Sequence, residues 1–187
     1  MNAMNSKNNT KDLLADSLRD LMLKKPFEKI TIKQICDATG VIRIVFYNYF
    51  SDKYAPLEYI VYRDLYETAY PYIQSRDRHE AFRVVIFAIQ KNIEFYRVGY
   101  QIVGQNSFEE AIYKAVHQII HDFVSHMDGE IPMMDKFSTD TFTKFHAIVI
   151  SAGIKEYVKT NKEVEPNYLI ELYECLISSS EKVLEKK

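Results

Sequence analysis

Thr31-Ile32-Lys33-Gln34-Ile35-Cys36-Asp37-Ala38-Thr39-Gly40-Val41-Ile42-Arg43-Ile44 is the stretch on which the fold turns. Thr31 followed three positions later by Gln34 has the signature of a capping box, in which each side chain satisfies a backbone N–H that the first helical turn leaves orphaned. A short helix is therefore predicted from Ile32 to about Thr39, with Ile32, Ile35 and Cys36 facing inward. Gly40 stands where that helix must stop, because glycine takes a left-handed backbone without steric cost. Val41 can anchor the turn, and a third helix is predicted over about Ile42 to Phe50. Upstream, Thr10 is placed to cap a helix over Lys11 to Lys25. Leu13, Leu14, Leu18, Leu21 and Met22 recur there at helical spacing, and Pro26 stops it. Downstream, Ser51 or Asp52 is placed to cap a fourth helix that continues to Tyr70, ahead of Pro71. Pro56 disfavours helical geometry at Ala55 and predicts a kink there. Two short helices across a glycine turn, braced by a longer one, make a helix-turn-helix.

Beyond Pro71 the pattern changes to longer amphipathic helices, predicted at about 77–98, 106–127, 138–160 and 166–185. Five glycines, five prolines and no bounded run of alternating Val, Ile and Thr leave nothing that reads as a strand, so the chain is expected to be all-α. With 187 residues, 47% of them hydrophobic, it is long enough to bury a real core. No run approaches the ~18 apolar residues of a membrane span, and the polar first nine residues do not read as a signal sequence, so a cytoplasmic protein without a membrane partner is expected. Cys36 and Cys175 are too few and too far apart for a disulfide framework or a zinc ribbon, and both are expected as free thiols on buried helix faces. No glycine-rich phosphate loop, nucleophile elbow or paired-carboxylate motif occurs, which argues against an enzyme and against a cofactor.

Charge divides the chain. Residues 1–54 hold nine Lys and Arg against six Asp and Glu, which leaves 15 against 20 of the totals of 24 and 26 for the remainder. A polyanion should prefer the N-terminal end.

The segment Phe27 to Val41, continued by Phe46-Tyr47-Asn48-Tyr49-Phe50-Ser51-Asp52-Lys53, resembles the DNA-binding domain of TetR-family transcriptional regulators over about Thr10 to Leu57. A Thr-initiated helix, an Ala-x-Gly-Val turn and an aromatic-Tyr-x-x-Phe-x-x-Lys pattern at fixed spacing carry the likeness. More weakly, Asn92-x-x-Phe95-Tyr96, Phe108 to Tyr113 and Ser151-Ala152-Gly153-Ile154 resemble the regulatory domain common in Firmicutes members. The resemblance implies a three-helix helix-turn-helix DNA-binding domain at 1–54 and a helical-bundle regulatory and dimerisation domain at 55–187. Its carried-over DNA-binding residues are Thr31, Lys33, Arg43, Ile44, Val45, Tyr47, Asn48, Tyr49 and Lys53. Thr31 caps a helix whose first turn can approach a phosphate, and Lys33 adds charge there. Arg43 opens the recognition helix with a fork of donors suited to guanine O6 and N7. Tyr47 has the position of the family's phosphate-contacting tyrosine, beside Asn48 and Tyr49, and Lys53 is placed to reach the phosphate backbone. Phe46 and Phe50 are expected to face the core. The chain departs from the family where polar or small residues are usual: Ile42, Ile44 and Val45 cannot donate to phosphates or base edges, although they can pack on thymine methyl groups.

In the family, the rear helices enclose a ligand cavity, and Tyr66, Tyr70, Phe87, Phe95, Phe108 and Tyr113 would suit an apolar or aromatic effector. The alternative is a solid core. The last two helices carry more apolar surface than a peripheral pair should show, with Phe145, Val149 and Gly153 on one and Leu172 and Leu176 on the other. In the family such a pair meets its copy as a four-helix bundle. The expected function is then a homodimeric repressor that binds a near-palindromic double-stranded operator and is released by an effector. Two further readings are a protein-interaction co-regulator that has lost DNA binding and a metal or ligand sensor built on His117 and His121, which stand four apart but lack an evident third metal ligand.

Overall fold

The computed structural model describes residues 2–104, 106–125, 138–160, 167–171 and 173, and no strand occurs among them. The order is α1 (Asn2–Met22), a 3-10 turn (Phe27–Lys29), α2 (Ile32–Thr39), α3 (Arg43–Tyr47), α4 (Tyr54–Tyr62), a π turn (Arg63–Glu67), α5 (Thr68–Gln74), α6 (Arg78–Lys91), α7 (Ile93–Gly99), α8 (Phe108–Ser125) and α9 (Thr139–Lys159). The chain is all-α, as expected. No described helix is long and apolar enough to cross a membrane. Cys175, Leu172 and Leu176 lie outside the residues whose side chains are described. Cys36 is a buried free thiol.

Two compact units form, each discontinuous in sequence: Met1–Arg63 with Glu94–Ala111, and Asp64–Ile93 with Ile112–Lys187. A boundary after Tyr54 would fall at the start of α4, inside the first unit. That unit is built around Leu14, Leu18 and Met22 of α1, Ile35 and Cys36 of α2, Phe46 of α3, Phe50 after it, and Leu57, Ile60 and Val61 of α4. Leu13 stays exposed, so the buried stripe of α1 is narrower than the sequence pattern suggested. The second unit buries Ala69 and Ile73 of α5 against Ala81, Val85, Ile86 and Ile89 of α6, with Ile112 and Val116 of α8 and Ala147, Ile154 and Val158 of α9 also interior.

Several boundaries differ from the sequence expectation for identifiable reasons. Helix α1 begins at Asn2, so Thr10 lies inside it. The polar residues before Thr10 contain neither glycine nor proline, and a helix nucleated on its apolar face propagates through them. Pro56 does not interrupt α4. It is the third residue of α4, where its missing N–H is one the first turn would leave unpaired, and Asp52 Oδ1 accepts from the N–H groups of Tyr54 and Ala55 at 2.7 and 3.0 Å. Pro71 does not end its helix either. The π turn finishing at Glu67, the residue whose carbonyl an interior proline would meet, widens the backbone one turn earlier, and α5 runs through to Gln74. The helix expected at 77–98 is two, α6 and α7, separated at Asn92, whose side chain donates to the Ala88 carbonyl at 3.0 Å.

Candidate nucleic-acid interface

Helices α2 and α3 meet across a turn built as the residue types require. The Thr31 hydroxyl accepts from the Gln34 N–H at 3.3 Å while Gln34 Oε1 accepts from the Thr31 N–H at 3.0 Å, a complete capping box. At the other end Gly40 has φ +69°, the left-handed conformation, and its N–H donates to the Cys36 carbonyl. Thr39 adds its hydroxyl to the carbonyls of Ile35 and Cys36 at 3.3 and 3.0 Å. Both ends of the turn are thereby held, and α3 is presented at a defined angle from α2.

Around α3 the apolar residues divide sharply. Phe46 is wholly buried and packs edge-on and tilted against Tyr47 and Phe50, with ring centroids 5.6 Å apart in each case. Ile42, Arg43, Ile44, Tyr47 and Asn48 are exposed, and Val45 and Tyr49 are half-buried. Arg43 Nη2 donates to the Tyr47 hydroxyl at 3.4 Å, one helical turn on, so guanidinium and phenol lie on the same exposed face. Thr31 and Lys33 are exposed on the first turn of α2. The structure therefore brings Arg43, Ile44, Tyr47 and Asn48 together as one surface of α3, with Thr31 and Lys33 on the preceding helix.

Lys53 is placed differently from the rest. Its ammonium donates to the carbonyls of Phe27, Glu28 and Ile30 at 3.0, 3.3 and 3.4 Å and lies 4.5 Å from the centroid of the Phe27 ring. It joins the segment entering α4 to the 3-10 turn ahead of α2. A second tie was not anticipated: Tyr59 donates to Asp12 Oδ1 at 2.9 Å, and Arg63 pairs with Asp12 at 3.0 Å and with Asp16 at 2.5 Å. Its sequence signal is two acids four apart on α1 facing a Tyr on α4 and an Arg four positions on, at the C-cap of that helix, a spacing that puts each pair on one helical face.

The aromatic residues expected around a ligand are divided between the two units. Phe95 and Phe108 belong to the first unit, where they join Tyr96 and Tyr100 in a cluster with ring centroids 5.3–5.6 Å apart. Gly99 is required there, since a Cβ would come within 2.7 Å of the Phe108 ring. Burial pushes the Tyr100 hydroxyl well above the usual phenol range, with the Glu109 carboxylate adding to the shift. Tyr66, Tyr70, Phe87 and Tyr113 lie in the second unit. There Tyr66 donates to Asp122 and packs on Tyr70, while Tyr70 and Phe87 are exposed.

His117 and His121 share a face of α8 with ring centroids 6.3 Å apart, but each has a local partner: His117 Nε2 meets the Thr143 hydroxyl at 3.2 Å, and His121 Nδ1 meets Asp122 Oδ1 at 3.2 Å. No group of three or more metal-ligating side chains occurs among the described residues. On α9, Phe145, Ile148 and Val149 form a run of exposed apolar side chains, and Gly153 lies one turn further with open space above it.

A comparison with curated proteins yields no significant sequence match. Among solved structures, the "Dihydroxyacetone kinase operon activator DhaS" is similar in fold, with a TM-score of 0.64 and 17% identity over 94% of this chain and 96% of that one. Residues 77–179, more than half of the chain, match the TetR-type family model described as "Transcriptional regulator C-terminal region". With a capped α2, a left-handed Gly40 turn and α3 ahead of that region, the chain belongs to the TetR family of transcriptional regulators.

Proposed function

We propose that this regulator acts in the cytoplasm as a homodimeric, sequence-specific DNA-binding repressor, released from its operator by an apolar or aromatic small molecule. The observation that carries the DNA-binding part is the exposed surface of α3, where the Arg43 guanidinium and the Tyr47 hydroxyl lie together on one face, 3.4 Å apart. Arg43 offers bidentate donors for guanine, and Tyr47, Asn48, Thr31 and Lys33 offer hydrogen bonds and charge to phosphates on either side. Val45 and Tyr49 lie half-buried beneath this surface and would set the depth to which α3 enters the groove. Lys53 would touch a phosphate only by leaving its carbonyl partners, so its first role is to hold the domain together.

Dimerisation is proposed through Phe145, Val149 and Gly153 of α9, together with Leu172 and Leu176. A two-fold axis there would place two copies of α3 on successive half-sites, about one DNA turn apart. The effector is proposed to contact Tyr66, Tyr70, Phe87 and Tyr113 of the second unit. It would act only through a difference in affinity for the DNA-bound and released states.

The test is a fluorescence-anisotropy titration against duplexes selected from a genomic pool, at several salt concentrations. The wild-type protein should select a near-palindrome, and Arg43→Ala should lose about 1–3 kcal/mol of discrimination at one base pair per half-site. A protein that selects nothing even at low salt would refute the proposal. A reporter gene placed behind the selected site reads the sign of regulation directly. Val149→Asp should turn a dimer into a monomer in analytical ultracentrifugation if α9 is the interface, and a dimer that persists would move the interface elsewhere.

A further inference from the structure

Helix α3 displays an apolar patch on the surface proposed to read DNA. Ile42 and Ile44 are 64% and 74% exposed, and the half-exposed Tyr47 lies one turn from Ile44. A single exposed isoleucine requires no explanation, but Ile44 and Tyr47, three positions apart, share one exposed helical face, with Ile42 at the N-cap just ahead of it. The core does not account for them, because Phe46 and Phe50 fill the interior beneath α3.

The surroundings of the patch define its partner. No carboxylate occurs between Asp37 and Asp52, and the one charge in that interval is Arg43, whose guanidinium lies 3.4 Å from the Tyr47 hydroxyl. The surface is thus apolar with a single cationic edge, and it is carried on a helix narrow enough to enter a major groove. Among the base edges in that groove the only apolar group is the thymine C5-methyl, and guanine O6 and N7 are the acceptors that suit Arg43.

We infer that Ile44, with Ile42, is a specificity determinant that reads thymine C5-methyl groups, so that each half-site carries thymine beside the base pair contacted by Arg43. This inference rests on the DNA-binding reading above. β-branched side chains are stiff at χ1, so ordering them against a methyl group loses little rotamer freedom. They also discriminate by exclusion. A cytosine in the same place would bring its N4 donors against the Ile44 side chain, which has no acceptor, and a donor covered by it would lose its water without replacement.

The experiment uses a duplex selected by the full-length protein from a random-sequence pool and resynthesised with deoxyuridine for one thymidine at a time. This removes the methyl group and keeps every hydrogen-bonding group. At one or two positions per half-site the Kd of the wild type should rise about fourfold, the worth of one CH2 group withdrawn from a buried contact. Ile44→Ala should bind the thymidine and deoxyuridine duplexes equally, at the weaker level, and Ile44→Val should retain part of the difference. Because Ile44 is exposed, its replacement leaves the core intact, which an unchanged melting temperature would verify. If the wild type binds the selected duplex tightly and tolerates deoxyuridine everywhere, thymine reading is overturned while DNA binding stands. If no duplex is selected at low salt, DNA binding is itself overturned and this inference with it, leaving a protein partner to cover the patch.

Discussion

Replacing Lys53 by methionine separates two roles that one lysine can have in a helix-turn-helix. Methionine keeps the unbranched stem and removes the donors that meet the carbonyls of Phe27, Glu28 and Ile30. The 3.0 Å bond to Phe27 is charge-assisted and worth about 1.5–3 kcal/mol. The bonds at 3.3 and 3.4 Å are long and add little. The contact with the Phe27 ring adds about 0.5–1 kcal/mol. Two features reduce the sum. Lys53 is half-exposed, and the Phe27 carbonyl keeps a second donor, the Ile30 N–H at 3.0 Å. A loss of about 2 kcal/mol follows. Urea unfolding followed by circular dichroism, at fixed protein concentration, should show a midpoint lower by about 1 M for a slope near 2 kcal/mol per M. In DNA titrations the variant should bind less tightly with an unchanged dependence on salt, because no phosphate contact is lost. A midpoint that stays within about 0.2 M of wild type, together with a salt slope shallower by about one, would refute the reasoning and assign Lys53 to the DNA backbone.

Three further outcomes follow from the packing. Gly40→Ala should cost about 1–2 kcal/mol in thermal or urea unfolding, because φ is +69° there although the space around it is open; a neutral result would mean that the turn can change conformation. Gly99→Ala should cost about 1–3 kcal/mol by overpacking against the Phe108 ring, and Phe108→Leu should recover part of that loss, whereas two independent, additive effects would contradict the contact. Tyr100→Phe should be neutral to slightly stabilising near pH 7, since the buried hydroxyl has no hydrogen-bond partner among the described residues. The folded state raises the pKa of Tyr100 above its unfolded value, so the stability this phenol contributes is complete below about pH 10 and is lost as pH rises beyond it. The phenylalanine variant should therefore lose less stability than wild type between about pH 10 and 11 in alkaline melts, and identical curves would show that Tyr100 is free to ionise when folded.

Much of the helix-turn-helix is legible in local chemistry. The Thr31–Gln34 capping box, the left-handed Gly40 and the bounds of α2 follow from side chains acting on their own backbone within a few residues. Phe46 and Phe50 could be assigned to the core and Arg43 to the surface because a helix separates residues three and four apart from their neighbours. The prolines were harder to read. Whether Pro56 and Pro71 break a helix depends on which turn they occupy and on what precedes them: Asp52 supplies acceptors ahead of the first, and the π turn ending at Glu67 precedes the second. Asp52 is legible in the sequence as a cap, but a π turn is not visible in a window centred on Pro71. Long-range partners are harder still. Lys53 reaches carbonyls more than twenty positions back, and Phe95 and Phe108 join the first unit although they follow Asp64–Ile93 in the chain.

Taken alone, the order of residues determined that the chain is helical, where the turn between α2 and α3 lies and which side chains stand near it, because capping, glycine conformation and helical periodicity are short-range effects. Tertiary structure alone decided which lysine is displayed and which is spent on backbone carbonyls, and which aromatic residues fill a core. It also decided that Ile42 and Ile44 remain uncovered. Those outcomes depend on what the fold brings within a few ångströms of each side chain, and an amphipathic pattern does not encode that.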